Sequence, residues 1–168
     1  MIDALQELGR RSGVDLLMST PWGWPAAETA HFMGLSLLIG TVGMFDLRML
    51  GLGRGIPLRA LHRLIPWGVG GYALNVATGA LFLVSAPDQY VHNPAFQVKL
   101  GLMAVAGLNV LAFYRFVFAR ASLTAPDAEP PLGARVAAMV SLACWVGVIA
   151  CGRLITYYRP PYHWCFWC

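Results

Sequence analysis

Hydrophobic residues dominate four long stretches of the chain, and polar and charged residues collect between them. A helix needs about 20 mostly apolar residues to cross roughly 30 Å of hydrocarbon. Four stretches reach or approach that length: residues 26–47, 64–86, 94–118 and 136–152, the last extending through Tyr157 if the side chain of Arg153 reaches the interface. The pattern predicts an all-α fold, an integral membrane four-helix bundle.

The segment before the first span differs from the spans because charged side chains interrupt every apolar run in it. Ile2, Leu5 and Leu8 recur at helical spacing, and a second apolar run follows Gly13. This pattern predicts a short N-terminal interfacial helix rather than a cleavable signal peptide. The chain then divides into an interfacial segment at 1–25, the bundle at 26–157 and an aromatic, cysteine-rich tail at 158–168.

The connections between the predicted spans differ in positive charge. Residues 87–97, between the second and third spans, contain no lysine or arginine. Short cytoplasmic loops are enriched in these residues, so the two arginine-rich connections are predicted to be cytoplasmic and both termini to lie on the opposite, outer side. The arginines that carry this prediction are Arg48, Arg54, Arg59, Arg63, Arg115, Arg120 and Arg135.

Composition agrees with a membrane protein. The chain is 58% hydrophobic and only 12% charged, with a mean hydropathy of +0.60, whereas an average soluble domain is about 25% charged. The net charge is +4, and the basic residues form no stripe that could follow a phosphate backbone. These values exclude an ordinary soluble enzyme, a disordered linker and a nucleic-acid-binding domain.

The positions of the histidines indicate a candidate haem site, because three of the four fall on the predicted outer side of the membrane. His31 lies within the first span, His92 lies just before the third span, and His163 follows the fourth. Two imidazoles that share a haem must face each other at similar membrane depth. We therefore expect His31 to bind a b-type haem with His92 or His163 as its partner. His62, at the cytoplasmic side, has no histidine partner and is expected to hydrogen-bond near its neighbouring arginines.

Ionisable residues within membrane spans are functional candidates because they are costly to place there. Lys99 lies in the first turns of the third span. It either reaches the interface or pairs with Glu28 or with a carboxylate of the cofactor. Asp46 is near Arg48 at the cytoplasmic end of the first span, where we expect an interfacial ion pair.

The tail contains a second candidate site, formed by His163, Cys165 and Cys168. Outside the cytoplasm, a Cys-x-x-Cys pair forms a disulfide or, with a nearby histidine, binds a soft metal such as copper or zinc. Unpaired thiols are the third interpretation. The histidine precedes the cysteines, so the order required for covalent haem attachment is absent.

Small and polar residues mark the faces on which the spans are expected to pair, since close packing and hydrogen bonds drive helix association in lipid. Gly68, Gly71 and Gly79 share a stripe on the second span with Asn75. Asn75 and Asn109 fall near mid-membrane, where they either fasten helices together or line a polar path.

Several segments resemble a family of small, uncharacterised four-helix bacterial inner-membrane proteins. The resemblance implies a multi-pass protein of the bacterial inner membrane with a link to redox chemistry, and the loop charges then place both termini in the periplasm. The architecture is also similar, at the level of fold, to four-helix b-type cytochromes and copper-resistance membrane proteins. The matching segments are Trp24-Pro25 to Glu28, His31-Phe32, Gly34, Asp46-Leu47-Arg48, Leu50-Gly51, Leu64-Ile65-Pro66-Trp67, Tyr90, Asn93-Pro94-Ala95-Phe96, Lys99 and Asn109.

No catalytic motif accompanies these features. The sequence contains no nucleophile elbow, phosphate-binding glycine loop, HExxH motif or paired-carboxylate pattern, so we expect no catalytic activity of its own. We expect a non-catalytic membrane subunit of a larger respiratory or photosynthetic electron-transfer assembly, surrounded by membrane lipids and other membrane subunits and holding one b-type haem. The alternatives are a structural accessory subunit without a cofactor and a copper- or zinc-handling membrane protein.

Overall fold

The structure is a computed structural model that describes residues 1–53, 55–118 and 129–158, without the side chain of Arg59. The described part is built from helices. In chain order they are α1 Ile2–Ser12, α2 Val14–Met18, α3 Gly23–Met49, α4 Leu58–His62, α5 Ile65–Ser85, α6 Pro87–Tyr90, α7 Pro94–Ala112 with a π-helical end at Phe113–Val117, and α8 Leu132–Leu154 with a 3-10 end at Ile155–Tyr158.

Four helical segments are long and apolar enough to cross a membrane, which confirms the number of predicted spans by length and composition. They are Gly23–Met49, Ala60–Ser85, Pro94–Val117 and Leu132–Tyr158. The first, second and fourth helical segments begin before the predicted stretches, at Gly23, Ala60 and Leu132, whereas the third begins at the predicted Pro94 and ends one residue early, at Val117.

The four long helices pack in the order α5, α3, α8, α7. The closest packing joins α3 to α5 and α7 to α8, and α3 and α8 join these two pairs along one seam. By contrast, α5 and α7 stay largely apart, although only α6 and a short turn connect them. We call the end of the bundle where α3 begins the Trp24 end and the end where it finishes the Arg48 end.

The N-terminal segment covers the Trp24 end. Its helix breaks at Gly13, which has a left-handed φ of 73° and both ends α1 and begins α2. Met18 then packs against Ala27 and Phe82 in a small apolar cluster. The predicted N-terminal helix is therefore present as two short helices, and these contact the bundle.

Asn93 fixes the start of α7. Its carboxamide oxygen accepts hydrogen bonds from the amides of Ala95 and Phe96, which caps the helix. Its Nδ2 donates to the carbonyl of Ile155 at 3.0 Å. The same side chain thus joins the beginning of α7 to the end of α8, and it is 2% exposed.

Candidate functional site

The α3–α5 interface is formed by glycines that let the two backbones touch. A Cβ atom on Gly71 would lie 2.6 Å from the carbonyl oxygen of Gly34, and one on Gly34 would lie 2.8 Å from the carbonyl oxygen of Gly71. Both distances are shorter than real Cβ contacts. The predicted pairing role of the small residues on the second span is borne out at Gly71 and also at Gly68, which faces Thr41.

His31 lies in this interface and bonds to α5. Its Nδ1 is 2.7 Å from the hydroxyl oxygen of Thr78, and that hydroxyl donates to the carbonyl of Leu74 at 2.7 Å. If the Thr78 hydroxyl donates to Leu74, the Nδ1–H of His31 is the donor to Thr78. This tautomer leaves Nε2 of His31 with an unprotonated lone pair.

Beyond its bond to Thr78, the ring of His31 packs against an aromatic ring of α5 and lies at the same end of the bundle as a lysine of α7. The ring of Phe82 lies edge-on, with 5.7 Å between ring centroids, and a Cβ on Gly79 would lie 3.9 Å from Cε1 of His31. Lys99 of α7 is close enough to act electrostatically on His31, and its Nζ lies 3.8 Å from the position of a Cβ on Gly152 of α8. The structure therefore places His31 and Lys99 at the same end of the bundle, the Trp24 end.

The other predicted histidines are placed differently. His92 is exposed on the turn immediately before Asn93, at the Trp24 end. The ring of His62 packs against Tyr114 and Phe118, with centroid distances of 6.0 and 4.9 Å. Among the described residues, no group of three or more His, Cys, Asp or Glu side chains could hold a metal ion. The predicted metal ligands His163, Cys165 and Cys168 lie outside the described residues.

The two asparagines of the long apolar helices join neighbouring helices, as one of their two interpretations predicts. Asn75 of α5 donates through Nδ2 to the carbonyl of His31 at 3.2 Å. Asn109 of α7 donates through Nδ2 to the carbonyl of Ala137 in α8 at 2.9 Å. Each bond lies within one of the two closely packed helix pairs.

A cleft of about 280 Å³ lies between α5 and α7, towards the Arg48 end. Buried residues of α3 and α8 form its floor, including Leu38, Phe45 and Ala138. Its walls come from α5 and α7, and here Val69 and Val110 are 61% and 43% exposed. The cleft therefore opens between the two helices that stay apart.

Three residues that line this cleft each carry a polar atom without a hydrogen-bond partner among the described residues. The atoms are Oδ2 of Asp46, Oγ of Ser141 and Nε1 of Trp145, and each atom is fully buried. The Asp46 carboxyl and the Ser141 hydroxyl face each other across α3 and α8, without the geometry of a hydrogen bond. Polar groups left in this state cost about 1–3 kcal/mol each.

The expected ion pair between Asp46 and Arg48 is not formed between these two described residues. Nε of Arg48 donates to the carbonyl of Ile56 at 2.9 Å, because Arg48 is turned towards the connection after α3 while Asp46 faces the cleft. The sequence analysis did not identify Ser141 and Trp145 as candidate site residues. Their spacing of one helical turn in an apolar span was the signal that could have identified them.

Comparisons of the chain with known proteins identify no relative. No protein-family model, curated protein or solved structure matches the chain. The resemblance to small bacterial inner-membrane proteins remains a prediction.

Proposed function

We propose that this chain is a non-catalytic, multi-pass subunit of a membrane electron-transfer assembly and that it holds one b-type haem through His31. The observation that carries the proposal is the pairing of His31 with Thr78. Histidines that bind metals almost always donate their second ring N–H to a protein acceptor, which fixes the tautomer and the ring orientation. The 2.7 Å contact between His31 Nδ1 and the Thr78 hydroxyl supports this arrangement.

Lys99 supports the same site through its charge. A haem carries propionate groups, and a lysine ammonium held near the axial ligand is a suitable partner for one of them. The contacts of Lys99 with α8 near Gly152 keep the ammonium at the Trp24 end, within electrostatic reach of His31. His92 lies at the same end of the bundle, on the turn before α7, and is the proposed second ligand.

The test is a reduced-minus-oxidised absorption spectrum of the full chain purified in mild detergent. We expect a Soret and an α band in the wild-type protein, loss of both in H31A, and their retention in H62A, which removes a histidine at the opposite end. T78V should keep the bands but shift the reduction potential, because it removes the acceptor that orients His31. Absence of any band in wild type, or full bands in H31A, contradicts the haem proposal and favours a structural accessory subunit without a cofactor.

We further propose that the protein resides in the bacterial inner membrane with both termini in the periplasm. The arginines of the connection after α3 and their absence between α5 and α7 support this orientation. Single cysteines introduced at exposed Gln97 and Gly55 should react with a membrane-impermeant maleimide on the periplasmic and the cytoplasmic side, respectively. The copper or zinc site at His163, Cys165 and Cys168 remains a prediction, which elemental analysis before and after removal of residues 163–168 tests.

A further inference from the structure

The cleft between α5 and α7 has the size of a small-ligand site. Its volume of about 280 Å³ is close to the lower limit of typical ligand pockets, roughly 300 Å³. Even one turn of a helix from another subunit, about 10–12 Å across with its side chains, fills more volume than this. The cleft therefore suits one ring with the beginning of an attached chain.

The polar atoms of the cleft lie together on its floor. Ser141 and Trp145 are one turn apart on the same face of α8, and Asp46 faces Ser141 from α3. All three residues are more than nine-tenths buried, with exposed fractions of 3%, 8% and 6%. They offer an indole N–H donor, a hydroxyl that donates or accepts, and a carboxyl oxygen, none of which has a partner within the described protein.

We propose that this cleft binds a lipid-soluble quinone, with a ring oxygen placed against Asp46, Ser141 and Trp145. A quinone carbonyl accepts hydrogen bonds from the Trp145 indole and the Ser141 hydroxyl, and the hydroxyl of the reduced ring donates to the Asp46 carboxyl. Tyr72 and Phe113, which line the same cleft, offer aromatic surface for a flat ring. The site is separate from His31, so the proposal goes beyond the haem site and does not depend on it.

Two features of the cleft distinguish a quinone from other membrane components. A hydrocarbon tail would leave all three polar atoms unpaired, at the cost that such burial carries. A phospholipid headgroup would place its phosphate beside the Asp46 carboxyl. The opening between Val69 and Val110 faces the hydrocarbon in a membrane-inserted bundle, so an apolar ligand enters from the bilayer.

The shape of α7 supports a site at this position. The helix changes to a π-helix at Phe113–Val117, and Phe113 and Tyr114 both line the cleft. Single π-turns within α-helices occur frequently at functional sites, because the wider turn redirects the side chains that follow.

The test measures quinone binding to the full chain in lipid nanodiscs. A photoreactive azido-quinone is cross-linked to the protein, and decylubiquinone is added as the competitor. The matched variants are G107L and G101L, both on α7 at exposed glycines with nothing within 4 Å of a Cβ atom. Only Gly107 lines the cleft. We expect G107L to weaken binding by about tenfold or more, because leucine fills space that the ring needs, and G101L to bind as wild type does.

Polar variants provide a test that does not depend on G107L folding. S141A and W145F each remove one hydrogen bond to the ring and should weaken binding by about three- to tenfold. Decylbenzene, which has a similar chain but no oxygen atoms, should not compete. Equal binding by G107L and G101L, competition by decylbenzene as strong as that of decylubiquinone, unchanged affinity in both S141A and W145F, or no specific cross-link would each overturn the proposal.

Discussion

Helix α5 packs closely against α3 on one side but is separated by a cleft from α7 on the other. Towards α3 it presents Gly68 and Gly71, and the backbones come into contact. Towards α7 it presents Val69 and Tyr72, and a cleft remains. Because lipid tails are as apolar as the helix side chains, the hydrophobic effect does not drive helices together in a membrane, and close packing depends on small residues. The comparison teaches that side-chain volume, rather than connection in the chain, decides which spans pair.

The two interfaces also differ in how their polar groups are satisfied. On the α3–α5 side, Asn75 donates to the carbonyl of His31, and Thr78 bonds both His31 and its own helix. In the cleft, the side chains of Asp46, Ser141 and Trp145 each leave a buried atom unpaired. At the α3–α5 interface these polar side chains have hydrogen-bond partners within the described chain. In the cleft the buried polar atoms lack such partners, as expected if another molecule supplies them.

The largest effect is expected at the glycine contact. G71A places a methyl group 2.6 Å from the carbonyl oxygen of Gly34, so α3 and α5 must separate, and the free energy of unfolding should fall by about 1–3 kcal/mol. G70A is the control, because nothing lies within 4 Å of a Cβ atom there. Reversible unfolding in mixed detergent micelles, followed by circular dichroism, measures both. Equal destabilisation by the two variants would mean that the close α3–α5 approach is wrong.

A smaller loss is expected for N75A, which removes the bond from Nδ2 to the carbonyl of His31. Hydrogen bonds between membrane helices contribute about 0.6 kcal/mol on average and up to about 1.7 kcal/mol, so the unfolding free energy should fall within this range. The same measurement on N109A, which loses its bond to Ala137, should give a similar value. Because the two bonds lie in different helix pairs, the double variant should be additive. Strong coupling would contradict the separation into two pairs.

The smallest effect on stability is expected for S141A. Its hydroxyl is buried without a partner, so its removal should leave the unfolding free energy unchanged or raise it by up to about 1 kcal/mol in protein without added ligand. The contrast with N75A, where a satisfied polar group is removed, sharpens the comparison between the two interfaces. A loss above about 1 kcal/mol would show that Ser141 has a structural partner and that the cleft floor is complete without a ligand.

The sequence predicted the features that depend on local pattern. The long apolar runs predicted the four spans, the helical spacing of Ile2, Leu5 and Leu8 predicted an N-terminal helix, and the glycines near Asn75 predicted a pairing face. The separation of α5 from α7 was not predictable in this way, because it results from side-chain volumes on two helices at once. The polar floor was missed for a related reason: Asp46 is distant in sequence from Ser141 and Trp145, and only the packing of α3 on α8 brings them together.

The histidine site was predictable only in part. Spacing and hydropathy placed His31 and Lys99 at the same end of the bundle, and the structure has both near the ends of their helices at the Trp24 end. The bond between His31 and Thr78 depends on the rotation of α5 about its axis, and a helix that is apolar on all faces does not determine that rotation from its sequence pattern.

The Asn93 side chain, which ties the start of α7 to the end of α8, has a mechanical consequence. Together with the bond between Asn109 and Ala137, it joins α7 and α8 into one unit. The bonds of His31 and Asn75 join α3 and α5 in the same way. The two pairs meet along the seam between α3 and α8. A rotation of one pair against the other about this seam would widen the gap between α5 and α7 without breaking any of these four bonds.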